Sequence, residues 1–298
     1  MNFSTYAAIF EWQPAAWLRV TGSDSGTFLQ GQFTNDLRML EAGRAVYGLW
    51  LNVKGKVVAD SFVVGGATKD EFWVGSYFSP ADVIRGRLEA FAIADDVTIE
   101  DLTASVSAVT IFRGETDAAL VPPDAEGWIF PGQRSREDNR EWVFPMNRRE
   151  AIQVRLGGLP AISADEVARR RIKSGIPAIP ADLGLGDLPN EGGLEAEAIS
   201  YTKGCYLGQE VMARLKTMGQ VRRRLVRVAF AREKIPPLPT PVFLGARQVG
   251  ELRSAAPEGP GHFVGLAMVS LLHVGTGAQL AFAGDAPATI TVDKFDPR

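Results

Sequence analysis

The run Lys203-Gly-Cys-Tyr-Leu-Gly-Gln-Glu210 places the chain's single thiol, Cys205, two residues after an ammonium and just ahead of a segment, Leu207 to Lys216, that reads as a helix. A helix N-terminus and a neighbouring cation both favour a thiolate, whereas the common fate of a lone cysteine is to pack as an inert small hydrophobe. Both readings stand on the residues alone. Glu191 lies in a Gly- and Pro-rich stretch, 176–200, too long for a mere connector and therefore a candidate binding segment. Without further context it is a solvated loop acid. Asp60 sits inside the β-like run Val57 to Phe62, where alternation fits an outward-facing residue. Arg171 and Arg214 carry planar forks able to grip a carboxylate at two points. The runs Arg169 to Arg171 and Arg222 to Arg224 read as solvated faces or local partner patches.

Several chemistries are excluded. His262 and His273 are the only histidines, and there is no His-Glu-x-x-His and no cysteine pair, so a histidine-rich or thiolate metal centre is not expected. There is no Gly-x-Ser-x-Gly elbow or Walker loop, and Gly184-x-Gly186 lacks the third glycine of a dinucleotide fingerprint. A net charge of -3 offers no global attraction to a polyanion, so nucleic acid is not an expected partner. One cysteine allows no internal disulfide and suits a reducing cytoplasm. The N-terminus lacks a secretory pattern, and no apolar run approaches the ~20 residues that span a bilayer. The expectation is a cytoplasmic protein without membrane contact.

The elements that must position these residues are legible in outline. At 298 residues with 46% hydrophobic content, the chain is expected to form more than one packed unit. Trp17 to Val20 reads as a strand, followed by a helix capped at Ser23 or Asp24 and carrying Phe28, Leu29 and Phe33. Ala45 to Leu51 and Val57 to Val64 form a hairpin around Asn52 to Gly55. Phe72 to Val74 predicts a strand, and Ser79-Pro80 an N-cap with proline at the first helical position. Val97 to Glu100 and Val106 to Phe112 predict further strands. Residues 113–140 read as an exposed connection with one strand at Trp128 to Phe130, and Ser163 with Glu166 as a capping box. From Val221 onward, short β-like runs broken by Gly and Pro predict a small barrel. The class is α+β, with one region over 1–222 and a second over 223–298.

The stretch Lys203 to Glu210, followed by Ala213-Arg214, resembles the signature of the YgfZ proteins, folate-binding relatives of the glycine-cleavage T-protein. Thr21 to Asp24, Phe28 to Gly31, Thr34 to Asp36 and Lys54 to Lys56 are similar to the family's N-terminal blocks. Arg171, Gly175 to Pro177 and Pro189 to Leu194 are similar to the stretch shared with the T-protein, and Gly245 to Ser254 and Gly265 to Ala267 to its C-terminal barrel.

The resemblance implies T-protein-like folate-binding subdomains with a C-terminal β-barrel, tetrahydrofolate or a one-carbon derivative as ligand, and iron–sulfur enzymes or assembly factors as partners. It implies that Glu191 accepts the paired N–H donors of a pterin edge, that Arg171 and Arg214 meet the folate's glutamate, and that Asp60 takes the place of the T-protein's catalytic aspartate. Where that protein carries paired acids, this chain has Ala59-Asp60, which puts aminomethyl transfer in doubt. The resemblance also favours a working role for Cys205, with Lys203 beside it. One cysteine cannot hold a four-thiolate cluster, so the chain assists iron–sulfur chemistry rather than storing the cofactor. Three readings stay open: a folate-binding accessory protein for iron–sulfur enzymes, including tRNA-modifying ones; a folate-dependent aminomethyltransferase or demethylase; and a non-catalytic interaction module.

Overall fold

The computed structural model describes residues 7–112 and 126–293. The first sheet is five-stranded and antiparallel, built from β2 (Ala16–Thr21), β3 (Ala45–Leu51), β4 (Val57–Gly65), β5 (Glu71–Ser76) and β6 (Thr98–Asp101) in the order β3-β4-β5-β2-β6. The β3–β4 turn closes because Gly55 takes a φ of 69° while the Asn52 carboxamide accepts from the Lys54 and Lys56 N–H groups. Helices α1 (Ser25–Gln32) and α2 (Ala81–Glu89) cover one face, where Phe28, Leu29, Ile84 and Leu88 pack on Leu18, Trp50, Val63 and Val74.

The other face looks toward a second, four-stranded sheet of order β1-β7-β9-β8, formed by β1 (Ala8–Trp12), β7 (Val106–Phe112), β8 (Trp128–Pro131) and β9 (Asn139–Pro145). Trp17, Leu49 and Phe62 share a core there with Ala108, Phe130 and Val143, sealed by Ile179, Leu183 and Leu194 of the long loop and Met268 of the barrel. Each fully buried aliphatic or Phe side chain in that core contributes about 1.5–3 kcal/mol. The junction between units is therefore held by apolar burial as well as by the polar contacts described below. Helix α3 (Arg149–Leu156) closes the far side of the second sheet through Ile152 and Leu156.

Helix α4 (Ala164–Lys173) starts at Ser163, whose hydroxyl accepts from the Glu166 N–H, and α5 (Gln209–Met218) follows the long loop. The last strands, β10 (Arg223–Ala231), β11 (Thr240–Leu244), β12 (Arg247–Gly259), β13 (His262–Ser270), β14 (Gln279–Leu280) and β15 (Ile290–Val292), pair in the order β11-β12-β13-β10-β15-β14. Phe243 and Ala281 exchange two backbone hydrogen bonds and join the terminal strands, so the sheet curls into a nearly closed six-stranded barrel. Ala256, Val264 and Leu266 of the barrel pack on Ile172 of α4.

Four local expectations are corrected. The cap of α2 is Pro80, not Ser79, whose hydroxyl is used elsewhere. Neither Ser23 nor Asp24 caps α1 through its side chain; both are tied to Asp96. Glu166 turns to Arg169 and Arg170 instead of back to its cap. The stretch 126–140 is not an exposed connection: it includes β8, the start of β9 and the buried Arg134 and Asn139, while 113–125 lies outside the described residues.

Candidate functional site

Asp60 lies on the face of β4 that it shares with Phe62 and Val64, toward the second sheet, and is 4% exposed. Its outward placement is thereby corrected. Oδ1 accepts from the Ser76 hydroxyl at 2.8 Å and the Ser79 hydroxyl at 2.6 Å, and Oδ2 from Tyr47 at 3.1 Å. Burial pushes this carboxyl above its ordinary value, and the three hydroxyls offset only part of that push. An acid whose folded-state pKa is raised gives most stability below its unfolded pKa and loses it as pH rises through the folded value. Asp60→Asn should therefore be more stable than the parent at pH 7, with the gain shrinking toward pH 4; chemical denaturation across that range measures it.

A second buried acid stands behind the first. Glu141 is fully buried on β9 and accepts from Tyr77 at 2.6 Å and Thr110 at 2.7 Å. Arg134, 5% exposed, lies 3.6 Å from it, donates to Thr110 Oγ1 and stacks its guanidinium 4.5 Å from the Trp12 ring and 4.1 Å from Tyr77. Beside Asp60 is a cavity of about 10 Å³, room for one water, walled by Tyr47, Asp60, Tyr77, Phe78, Gln133 and Arg134 and backed by Arg171 and Ile176. Phe78 lines it while remaining 41% exposed, so it stands at the mouth.

The other expected site residues lie elsewhere or are already engaged. Glu191 is buried and does accept two parallel N–H donors, but from a guanidinium: Arg223 Nε and Nη2 each lie 3.1 Å from its oxygens, and the Leu188 N–H adds a third bond. Arg223 also reaches Asp187, which Arg253 holds at 2.6 Å, so loop and barrel are locked by a charged cluster. The solvated-face reading of Arg223 is corrected with it. Arg171 is buried against Asp182 at 2.7 Å and Ser254 at 3.0 Å, fastening α4 to β12, although it also backs the cavity. Arg214 is exposed and pairs with Glu210 one turn earlier on α5, away from Asp60.

Lys203 also departs from expectation. The Lys203 ammonium is 5% exposed and donates to the carbonyls of Gln30, Phe33 and Asn35 at 2.7, 2.6 and 2.8 Å. Burial lowers it to about 8, which leaves it charged at neutral pH. It anchors the segment to the end of α1, and is not the thiol's neighbour in chemistry. Helix α5 begins at Gln209 after Gly208, whose φ of 87° and close approach to the Asn52 carbonyl require glycine. Cys205 is thus exposed, ahead of the helix, on a loop clamped by Lys203 and the buried Tyr206. None of the described cavities is lined by Asp60, Glu191 and Cys205 together.

Two family profiles match the sequence: the GCVT N-terminal domain over residues 1–115 and the CAF17 C-terminal beta-barrel domain over 222–297. The chain is 28% identical to the mitochondrial iron-sulfur cluster assembly factor IBA57 of Homo sapiens, over 94% of this chain and 84% of the relative. It is 29% identical to the tRNA-modifying protein YgfZ of Vibrio vulnificus strain YJ016, over 81% and 75%. The chain thus carries a GCVT N-terminal domain and a CAF17 C-terminal beta-barrel domain, and over most of its length it is similar to YgfZ and IBA57 proteins. Among solved structures, the glycine cleavage system aminomethyltransferase T of Bartonella henselae superposes with a TM-score of 0.79, covering 97% of this chain and 86% of that one at 16% identity, which establishes the shared fold.

Sequence reasoning missed Arg134, Tyr77 and Glu141. Around Glu141 the sequence Asn139-Arg-Glu-Trp142 carries no apolar alternation that would have signalled a buried acid. No described helix is long and apolar enough to cross a membrane, and no group of three or more metal-ligating side chains gathers among the described residues.

Proposed function

We propose that this YgfZ-like chain binds a reduced folate and assists the assembly or repair of iron–sulfur enzymes, tRNA-modifying ones included, in a reducing cytoplasm. The observation that carries the reading is the separation, on one packed frame, of a buried carboxyl in a hydroxyl cage from an exposed thiol on a clamped loop. A buried acid beside aromatic walls suits the polar edge and flat face of a pterin, and an exposed thiol suits a protein client. The relatives' names, an iron-sulfur cluster assembly factor and a tRNA-modifying protein, support the second half.

Asp60 and Arg134 would be the polar partners of a folate head and Tyr47, Tyr77 and Phe78 its walls, but the cavity of about 10 Å³ holds only one water as it stands, so these walls must part to admit a pterin. Admission requires Phe78 to move from the mouth. A bound folate would supply a one-carbon carrier; the chain's own part is to hold a proton at Asp60, where burial favours the neutral acid. That same feature supports a second reading as a folate-dependent C1 transferase, with Asp60 moving the proton.

Calorimetry with tetrahydrofolate and its one-carbon forms should show binding that weakens by about tenfold or more in Asp60→Asn. A parent protein with no affinity for any reduced folate removes the folate half. In a deletion strain, Cys205→Ser should fail to restore iron–sulfur enzyme activity, and full rescue removes the thiol's role. Methylene-tetrahydrofolate production that Asp60→Asn abolishes would favour the transferase.

A further inference from the structure

The exposed loop of Cys205 is packed among three other elements. Gly208, three residues after the thiol, lies against the Asn52 carbonyl and Gly55 of the β3–β4 turn, and Gly55 in turn rests on Val211 and Met212 of α5. The Leu207 N–H donates to the Gly31 carbonyl at the end of α1. The C-terminal half of α2 joins the same turn, because Arg87 donates from Nε to the Leu51 carbonyl at 3.1 Å and from Nη1 to Gln32 Oε1 at 2.9 Å. Thiol loop, turn, α2 and α5 are thus neighbouring parts of one surface.

That surface is basic. It carries Lys54 and Lys56 on the turn, Arg85 and Arg87 on α2, and Arg214 and Lys216 on α5. Against these six cations stand Glu89, Glu210 and Glu195, the last acting on Tyr201, over whose ring the Lys216 ammonium lies at 4.3 Å. Glu89 and Glu210 are taken by Arg85 and Arg214 one turn away. Among the described residues no acid pairs with Lys54, Lys56 or Arg87, and Arg87 Nη2 has no acceptor. The excess of three positive charges stands on a chain of net charge -3, so the field is local to this surface. Apolar side chains are set among the cations. Val53 at the tip of the turn is 68% exposed, and Phe91, 4.3 Å from the Arg87 guanidinium, is 38% exposed. Charged and apolar groups mixed in this way have the anatomy of a protein interface, whereas a nucleic-acid surface is a stripe of cations on a basic domain.

We propose that a client protein docks on this surface through an acidic patch that surrounds the group Cys205 meets, with Lys54, Lys56, Arg87 and Lys216 steering the approach. The inference rests on the accessory-protein reading for there being a client, and on the uncompensated cations for the client's charge. The probes are cysteine peptides activated as thionitrobenzoate disulfides and flanked by four glutamates, four serines or four lysines. Attack by the Cys205 thiolate on the peptide sulfur forms a protein–peptide disulfide and expels coloured thionitrobenzoate, which gives the rate. On the full chain at low salt the glutamate peptide should react about tenfold faster than the serine peptide and the lysine peptide more slowly, a spread that shrinks with salt. Lys54→Glu/Lys216→Glu, altered only at exposed positions, should invert that order. In a deletion strain the same variant should restore iron–sulfur enzyme activity several-fold less well than the parent. Equal rates for the three peptides overturn the proposal, as does an unchanged order in the variant or full rescue by it. An RNA oligonucleotide that blocks the glutamate peptide at lower concentration than a cysteine-free glutamate peptide assigns the surface to nucleic acid and overturns it too. No folate enters the peptide assay, and rescue by Cys205→Ser tests the thiol's role separately, so failure here is distinct from failure of either part of the proposed function.

Discussion

Arg134→Met should cost the protein roughly 3–5 kcal/mol of stability and lower its apparent melting temperature by roughly 10 °C. Methionine keeps the bulk between Trp12 and Tyr77 but leaves Glu141, fully buried, with only the Tyr77 and Thr110 hydroxyls. Burial already holds the Glu141 carboxyl above its ordinary value, and Arg134 opposes that push. Without the guanidinium, protonation of Glu141 becomes the cheaper state, and this is what limits the loss. The sign follows: an acid with a raised folded-state pKa gives up stability as pH rises, so the variant should be closer to the parent at pH 5 than at pH 8. Arg134→Met/Glu141→Gln should recover most of the loss, because a neutral amide needs no counter-charge. Denaturant melts of the four proteins form a double-mutant cycle, and additive losses would show that the two side chains do not act as a pair.

Lys203→Met has the second largest expected effect, a loss of about 2–4 kcal/mol. Two effects compete. Burial disfavours the ammonium, which its fall to about 8 records, and a neutral side chain removes that penalty. Against this, methionine strands the carbonyls of Gln30, Phe33 and Asn35, each worth about 1–3 kcal/mol when left buried and unpaired. Three acceptors outweigh one desolvated cation. Arginine should not rescue, since three acceptors around one nitrogen suit a compact ammonium rather than a planar fork. The loss should appear locally as well as globally: protease cleavage near Gly204 should accelerate in the variant. A thermal and proteolytic profile matching the parent would show that Lys203 does not fasten the segment.

Local signals were legible wherever the sequence carried them. The β3–β4 hairpin followed from Asn52 to Gly55, α4 from Ser163, and a small barrel, though not its six strands, from β-like runs broken by Gly and Pro. Partners remote in sequence were not. Glu191 looked like an acid awaiting two parallel donors, and it has them, but the fork belongs to Arg223, 32 residues later. Burial of Glu141 could not be read because Arg140, Glu141 and Trp142 offer no apolar alternation; only the assembled sheet shows that Thr110, Tyr77 and Arg134 satisfy it. Lys203 misled for the same reason. Its nearest acidic or thiol neighbours in sequence were irrelevant, and its acceptors were main-chain atoms at the end of α1.

The bridge between Phe243 and Ala281 has a consequence for solubility. Strand ends that would otherwise display open donors and acceptors are tied at Phe243 and Ala281, so β11 and the two-residue β14 leave only a short template on which another molecule's strand can grow. A small β-rich unit that nearly completes its own ring limits edge-to-edge aggregation with little need for charged gatekeepers along that seam.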